Sequence, residues 1–406
     1  MRLFAALGPG DIVAAHRTQM RGEPVLSETS IIFSGQLFAY CRERGIETLA
    51  LSRNPRSDDL RDGALRIENR PRRFDGRGIR YHVASVRYAL YLAWRARRFG
   101  ADIAIIDSGS AHYFALAVFG LLGIPVAVNF HNTLWPNGFE PQGRGARLIR
   151  WLDGAFFRNV AVGAVGCSPE CARQVQQLAG YALPFFEYRA QFRSDGFSPL
   201  QRDHGINPFR VLFVGRVERS KGALDMALMA ERLRAKSHRP IVFEICGDGG
   251  ALSELKSIVD AKGLGDIVHV RGRLARPELL EVYRRAHAVI VPTRGDFCEG
   301  LPLVCAEAVL SGLPLVTSRV SNAIPVLGTA IVEAQPENID SYVRAILSLA
   351  DDQKAYARAA DACPALAQQF LDRSQSYPAA IDRLIAHAFP KWTALASWDP
   401  VFAPIA

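Results

Sequence analysis

Apolar residues in this chain fall into short continuous runs, separated by longer stretches in which they recur at helical spacing. In the first half the runs lie at 2–6, 47–52, 103–106, 125–130 and 164–167, and they read as strands buried on both faces. Between them, 30–44, 84–99, 112–122 and 148–160 carry the helical pattern. The first has Ser30 as its start, Ile32, Phe33, Leu37 and Tyr40 on one face, and Gly45 as its stop. Ser168 is placed to cap the helix after the last of these strands. Residues 11–28 read as a long polar connection, 55–80 as a charged, irregular surface excursion, and 181–207 as a link between domains. The alternation restarts after Pro208. Strands are expected at 210–214, 241–246, 267–271, 289–291 and 330–332, with helices at 223–236, from Leu252, at 276–285 and at 338–350. This rhythm predicts the α/β class: two Rossmann-like, doubly wound parallel-sheet domains at 1–200 and 201–375, then a helical tail over 376–406.

Length agrees with two domains, because 406 residues exceed one ordinary core. The seven cysteines include no C-x-x-C pair, which points to reduced core thiols and a cytoplasmic compartment. Met1 to Leu7 lacks the charged start and cleavage site of a secretory signal. The longest apolar stretch, 113–130, is broken by Gly120, Gly123 and Pro125 and reads as helix, turn and strand rather than a membrane span.

Charge changes the picture more. Residues 1–200 hold 25 arginines, no lysine and 17 acids, whereas 201–406 hold 24 basic and 23 acidic residues. A first half at +8 suggests an acidic partner, such as a phosphorylated acceptor or the surface of an anionic membrane. No basic stripe interleaved with aromatics and no zinc-finger spacing supports nucleic acid.

The candidate chemistry is concentrated in 288–317, AVIVPTRGDFCEGLPLVCAEAVLSGLPLVT. A β-branched run ends at Pro292, and 294–300 is too polar to continue it. Pro302 suits a first helical position, and Gly312 with Pro314 closes the helix. Glu299 falls in the loop and Glu307, eight residues on, in the helix. Free N–H groups at the helix start, beside two carboxylates, can hold a phosphorylated, hydroxyl-rich ligand. Upstream, strand 210–214 leads into Gly215-Arg216-Val217-Glu218-Arg219-Ser220-Lys221-Gly222. Here Gly215 allows a tight turn, Arg216 offers a planar fork to phosphate oxygens, and Lys221 adds a point charge.

The frame E-G-L-P-L-V-x-A-E-A around Glu299 and Glu307, with G-R-V-x-x-x-K-G upstream, resembles the signatures of family 4 of the retaining glycosyltransferases, which have the GT-B fold. The likeness is strong over about 208–350 and mainly architectural before that. It implies a metal-independent hexosyltransferase without a cofactor. Such an enzyme moves a sugar from a nucleoside diphosphate sugar to a saccharide or lipid-linked acceptor, as in polysaccharide or cell-surface glycan synthesis. Carried over by position, Arg216 and Lys221 would bind the diphosphate, Glu299 the donor-sugar hydroxyls, and Glu307 the ribose. The N–H groups of Gly300, Leu301 and Leu303 would complete the cradle, with Gly215, Gly247 and Gly249 lining the nucleotide.

In the first domain, His131 would face the donor sugar, while Gly8, Gly10, Asp107 and Ser108 would lie on the acceptor side. The resemblance implies catalytic roles for Glu299, His131, Arg216 and Lys221, and a final helix, 377–389, that crosses back onto the first domain. Two departures stand out. Pro9 splits the usual glycine pair, and Ser318 to Pro325 replaces a Gly-rich loop. Competing readings are a non-catalytic sugar-nucleotide binder, an epimerase of the same fold, and a dinucleotide-dependent oxidoreductase. The last has no G-x-G-x-x-G after strand one.

Overall fold

The computed structural model describes residues 1–22, 30–71, 78–193, 197 and 203–393. The other parts of the connections expected at 11–28, 55–80 and 181–207, and the tail beyond 393, lie outside the described residues.

The first unit runs β1 (Arg2–Leu7), α1 (Ile12–Met20), α2 (Phe33–Glu43), β2 (Glu47–Ser52), β3 (Asp58–Asp62), β4 (Leu65–Asn69), α3 (Ile79–Phe99), β5 (Ile103–Asp107) and α4 (Ala117–Leu121). It continues with β6 (Val126–Phe130), α5 (Arg144–Asn159), β7 (Ala161–Gly166), α6 (Pro169–Ala179) and β8 (Phe185–Glu187). These strands form one sheet in the order β3-β4-β2-β1-β5-β6-β7-β8, parallel except for β3. The central strands are largely apolar because helices cover both faces; all five residues of β5 are buried, its closing Asp107 included.

The second unit runs β9 (Phe209–Val214), α7 (Asp225–Lys236), β10 (Ile241–Cys246), α8 (Leu252–Ala261), β11 (Val268–Gly272), α9 (Arg276–Arg285), β12 (Ala288–Val291) and α10 (Leu303–Leu310). After it come β13 (Leu315–Thr317), α11 (Ile324–Leu327), β14 (Ile331–Glu333), α12 (Ile339–Asp351) and α13 (Gln353–Ala367). Its six-stranded sheet has the order β11-β10-β9-β12-β13-β14, parallel throughout. The last helix, α14 (Tyr377–Ala388), leaves this unit and packs on α2, β7 and β8 of the first. The architecture is therefore the expected pair of doubly wound parallel sheets.

Five local expectations are corrected. The connection at 11–28 begins with helix α1, whose cap is Asp11: its carboxylate accepts the Ala14 N–H at 2.9 Å. The excursion at 55–80 contains an antiparallel hairpin, β3–β4, turning at Gly63 with φ 58°. Helix α3 starts five residues before the expected position 84, because 79–83 continue the helix with exposed side chains. Helix α2 starts at Phe33 with Ile32, not Ser30, in the cap position, and no side chain caps it. The 112–122 helix is a 3₁₀ turn, Tyr113–Leu116, followed by the short α4. Two smaller shifts remain. Pro302 stands just before α10, and part of the link at 181–207 adds β8 to the first sheet.

Candidate active site

Parallel strands all end at the same side of a sheet, and the loops that follow them build the site. The C-terminal end of β6 faces those of the neighbouring strands β9 and β12 across a cleft of about 370 Å³. His131 and Asn132 line it from the first unit. Gly215, Arg216, Lys221, Thr293, Glu299, Gly300, Leu301, Leu303 and Glu307 line it from the second. The two sequence motifs, more than seventy residues apart, thus share one cavity.

The turn after β9 is held against β12. Gly222 has φ 71°, and a Cβ there would lie 2.2 Å from the Pro292 carbonyl oxygen, so only glycine fits. That contact brings Lys221 onto Glu299: its ammonium bonds Glu299 Oε1, which also accepts the Thr293 hydroxyl at 2.9 Å. Both carboxylate and ammonium are largely buried, the pair being 7% and 17% exposed. Phe297 lies beneath the two cations, with Lys221 Nζ 3.9 Å and the Arg216 guanidinium 5.3 Å from its ring centre. Arg216 is more exposed and rests on Glu218 at 2.9 Å. Glu307 is buried in α10, and its Oε2 accepts the hydroxyl of Tyr283 from α9. Burial and the neighbouring Glu307 carboxylate push the Tyr283 phenol well above its ordinary pKa, so it stays a donor.

Across the cleft, His131 leaves the end of β6 half-exposed with both ring nitrogens engaged. Nδ1 lies 3.0 Å from the Tyr188 hydroxyl; Nε2 lies 2.9 Å from Asn129 Nδ2 and 3.3 Å from Asp107 Oδ2. Asp107 also accepts the Gly8 N–H at 2.9 Å and Asn129 Nδ2 at 2.7 Å. One buried carboxylate thereby ties the first turn of the chain to the histidine. Tyr377, carried back by α14, packs 6.3 Å from the His131 ring and meets Asn129 Nδ2 at 3.3 Å.

The remaining sequence candidates lie around the cavity and not in its wall. Ser108 follows β5, and its N–H is held by the Asn129 carbonyl. Gly10 accepts the Ser52 hydroxyl through its carbonyl. Gly247 and Gly249 sit behind the Gly215 turn, where a Cβ would meet the carbonyls of Gly215 and Val217. Sequence reasoning passed over Tyr283, Thr293, Phe297, Asn129, Tyr188 and Tyr377. Only Phe297 and Thr293 carried a signal, their closeness to Glu299 in the same loop.

Comparison with known proteins fits this geometry. Residues 199–364 match the glycosyl transferases group 1 family, and residues 33–183 match the glycosyl transferase 4-like domain. The chain belongs to the group 1 glycosyl transferases. Its relatives include the D-inositol 3-phosphate glycosyltransferase of Pseudarthrobacter chlorophenolicus, 27% identical over 317 residues, or 69% of this chain and 72% of that protein. The glycogen synthase of Mycobacterium tuberculosis is 26% identical over 265 residues, covering 61% of this chain and 60% of that one. The fold of this glycosyltransferase is shared by sucrose-phosphate synthase of Thermosynechococcus elongatus (TM-score 0.67, 15% identity, 96% of this chain and 99% of that one). It is shared too by the Anabaena protein HepE in complex with UDP (TM-score 0.63, 16% identity, 96% and 99%). Two facing parallel-sheet domains of this kind are the GT-B fold.

Proposed function

We propose that this glycosyltransferase moves a hexose-type sugar from a nucleoside diphosphate sugar to a saccharide or lipid-linked acceptor, with retention of configuration and without a metal ion. The observation that carries the reading is the cluster of Arg216, Lys221, Glu299 and Glu307 on one cavity wall, opposite His131. Arg216 and Lys221 supply two positive charges to a diphosphate leaving group, the task a divalent cation performs elsewhere. Lys221 is paired with Glu299. A bound diphosphate shares that ammonium and frees a Glu299 oxygen for sugar hydroxyls. Glu307, held by Tyr283, lines the cavity where the ribose hydroxyls would lie.

Transfer then proceeds on one face of the sugar. The bond from the anomeric carbon to the phosphate oxygen breaks, the bond to the acceptor oxygen forms on the same side, and the acceptor proton passes to the leaving phosphate. Domain closure keeps water out. The relatives support this reading: one is named a D-inositol 3-phosphate glycosyltransferase, and HepE was solved with UDP.

The acceptor side has its own support. Of the twelve exposed large apolar side chains among the described residues, eight lie on α3, α4 and α5, including Leu90, Trp94, Leu148 and Trp151. α3 and α5 hold nine arginines and a single acid, the buried Asp153. Both helices pack on the 3₁₀ turn at 113–116, so they share one side of the domain. Each helix leads back to the start of the next strand, so its N-terminal turn lies at the cleft end of the sheet. A basic, apolar face beside the cleft suits an anionic membrane carrying a lipid-linked acceptor. Among the described residues no helix is long and apolar enough to cross a membrane, so the contact we propose is peripheral.

The test is a thermal-shift panel with UDP, GDP, ADP and NAD⁺, repeated on Glu307→Ala and Arg216→Ala. A ligand that binds the native state raises the melting temperature by mass action. We expect one nucleoside diphosphate to do so and both variants to lose the shift. A shift with NAD⁺ alone would sink the proposal. Co-sedimentation with phosphatidylglycerol vesicles at low and high salt tests the membrane contact, which fails if nothing binds at low salt.

A further inference from the structure

The backbone carbonyl of Glu299 is gripped from both domains. It accepts the N–H of Thr133 at 3.0 Å and the Thr133 hydroxyl at 2.9 Å, both from the loop after β6. It also accepts the side-chain amide of Asn322 at 2.9 Å. A carbonyl oxygen has two lone pairs, so three donors leave it no remaining freedom. Asn322 is wholly buried and left-handed, with φ 58°, a backbone that asparagine tolerates better than most residues. Its other amide atom, Oδ1, accepts Asn137 Nδ2 at 3.2 Å, again from the first domain. Asn322 lies in the stretch after Thr317 where the sequence departs from the Gly-rich loop that the family resemblance leads one to expect.

We propose that Thr133 and Asn322 are positioning residues that couple domain closure to the orientation of Glu299. The inference rests on the role given to Glu299 above. Asn322 belongs to the same domain as Glu299 and holds the carbonyl whether the cleft is open or closed. Thr133 reaches it only when the domains are closed, as does Asn137 reaching Asn322. Closure therefore adds two hydrogen bonds to the residue whose side chain contacts the donor, and fixes the Glu299 backbone as the acceptor side arrives. An open enzyme holds nucleotide through Arg216, Lys221 and Glu307 with Glu299 incompletely aligned. Donor turnover is then confined to the closed state, in which water is excluded.

The experiment uses the full chain with UDP-glucose, GDP-mannose and ADP-glucose as donors, D-inositol 3-phosphate and glucose offered as acceptors, release of nucleoside diphosphate as the readout, and Glu299→Gln as reference. For the donor turned over fastest, Thr133→Val, which keeps the N–H and the side-chain volume, lowers kcat by about tenfold, the size of one well-placed hydrogen bond. The affinity for the nucleoside diphosphate stays within about twofold, since no nucleotide contact is touched. Thr133→Ser restores kcat by restoring the hydroxyl, which a role in packing alone would not predict. Asn322→Asp replaces the amide donor with a carboxylate oxygen facing the carbonyl and lowers kcat further. Wild-type kcat in both Thr133→Val and Asn322→Asp overturns the proposal. If Asn322→Asp does not fold, the Thr133→Val and Thr133→Ser pair decides alone. Full activity in Glu299→Gln, or no turnover of any donor by the wild type, instead removes the catalytic reading of Glu299. The latch is then judged by X-ray scattering with UDP, where an unchanged profile for Thr133→Val refutes it and an expanded one retains it.

Discussion

Replacing Gly300 with alanine isolates the contact between the two domains. Gly300 belongs to the loop of the second domain, and its N–H remains after the substitution. Its φ lies outside the left-handed region, so the backbone itself admits alanine. The obstacle is on the other domain: the new Cβ would lie 1.9 Å from the His131 carbonyl oxygen and 2.4 Å from Cys167 Sγ. To bring the first contact even to a tight 3.0 Å, the loop must retreat by about 1.1 Å. That retreat stretches the Thr133 bonds to Glu299, now 2.9 and 3.0 Å, to about 4 Å and breaks them.

Overpacking of this kind costs about 1–3 kcal/mol, and each lost hydrogen bond about 1 kcal/mol. Relaxation offsets part of the sum, so we expect the closed state to lose about 2–4 kcal/mol, roughly a 30- to 1000-fold shift toward open. Two assays follow. Scattering with UDP should show an expanded molecule, and donor turnover should fall. Wild-type kcat together with an unchanged scattering profile in Gly300→Ala would refute the closed interface described above.

Other consequences can be measured more directly. Tyr283→Phe removes the hydroxyl donor from the buried Glu307 carboxylate; unfolding stability should drop by about 1–3 kcal/mol and nucleoside diphosphate binding should weaken. Calorimetry showing neither change would remove Tyr283 from the site. Asp153, buried in α5 and accepting the Phe114 N–H at 2.9 Å, has its carboxyl pushed up to about 6 by burial. Its unfolded value is about 3.9, so the folded state binds the extra proton between about pH 4 and 6. The stabilisation is present below that window and is lost as pH rises through it, a change of order 3 kcal/mol. Asp153→Asn should therefore gain on the wild type as pH rises from 4 to 7 in urea titrations. A difference that does not vary with pH would contradict the burial argument.

Legibility followed the reach of each interaction along the chain. The stretch 288–317 could be read because its strand is buried on both faces and its loop and helix carry local turn chemistry; α9 was placed at its observed ends, 276–285. Strand β3 escaped notice because Asp58–Asp62 is almost wholly polar, as an exposed edge strand can be. The Asp62-Gly63 turn was the available signal. Helix α1 was missed despite its Asp11 cap because the expected polar connection masked a nine-residue helix.

In the site, Lys221 and Glu299 could be proposed from two local motifs, although their meeting depends on how β9 and β12 pair. Tyr283, Tyr188 and Tyr377 could not be proposed. Each reaches its polar partner from another element, and Tyr377 is 248 positions from Asn129. No periodicity or turn chemistry reports such distances.

Helix α14 has a consequence for modularity. The polypeptide passes between the halves twice, once between β8 and β9 and again between α13 and α14, so the second half is an insertion within the first. Cutting after residue 207 would strip the amino-terminal half of the segment that covers β7 and β8 and brings Tyr377 to His131. A chimera that exchanges donor specificity should transplant 208–375 as a cassette and leave 376–393 with its original host. Recombination breakpoints that separate α14 from the first sheet should yield proteins that lose solubility before they lose nucleotide binding.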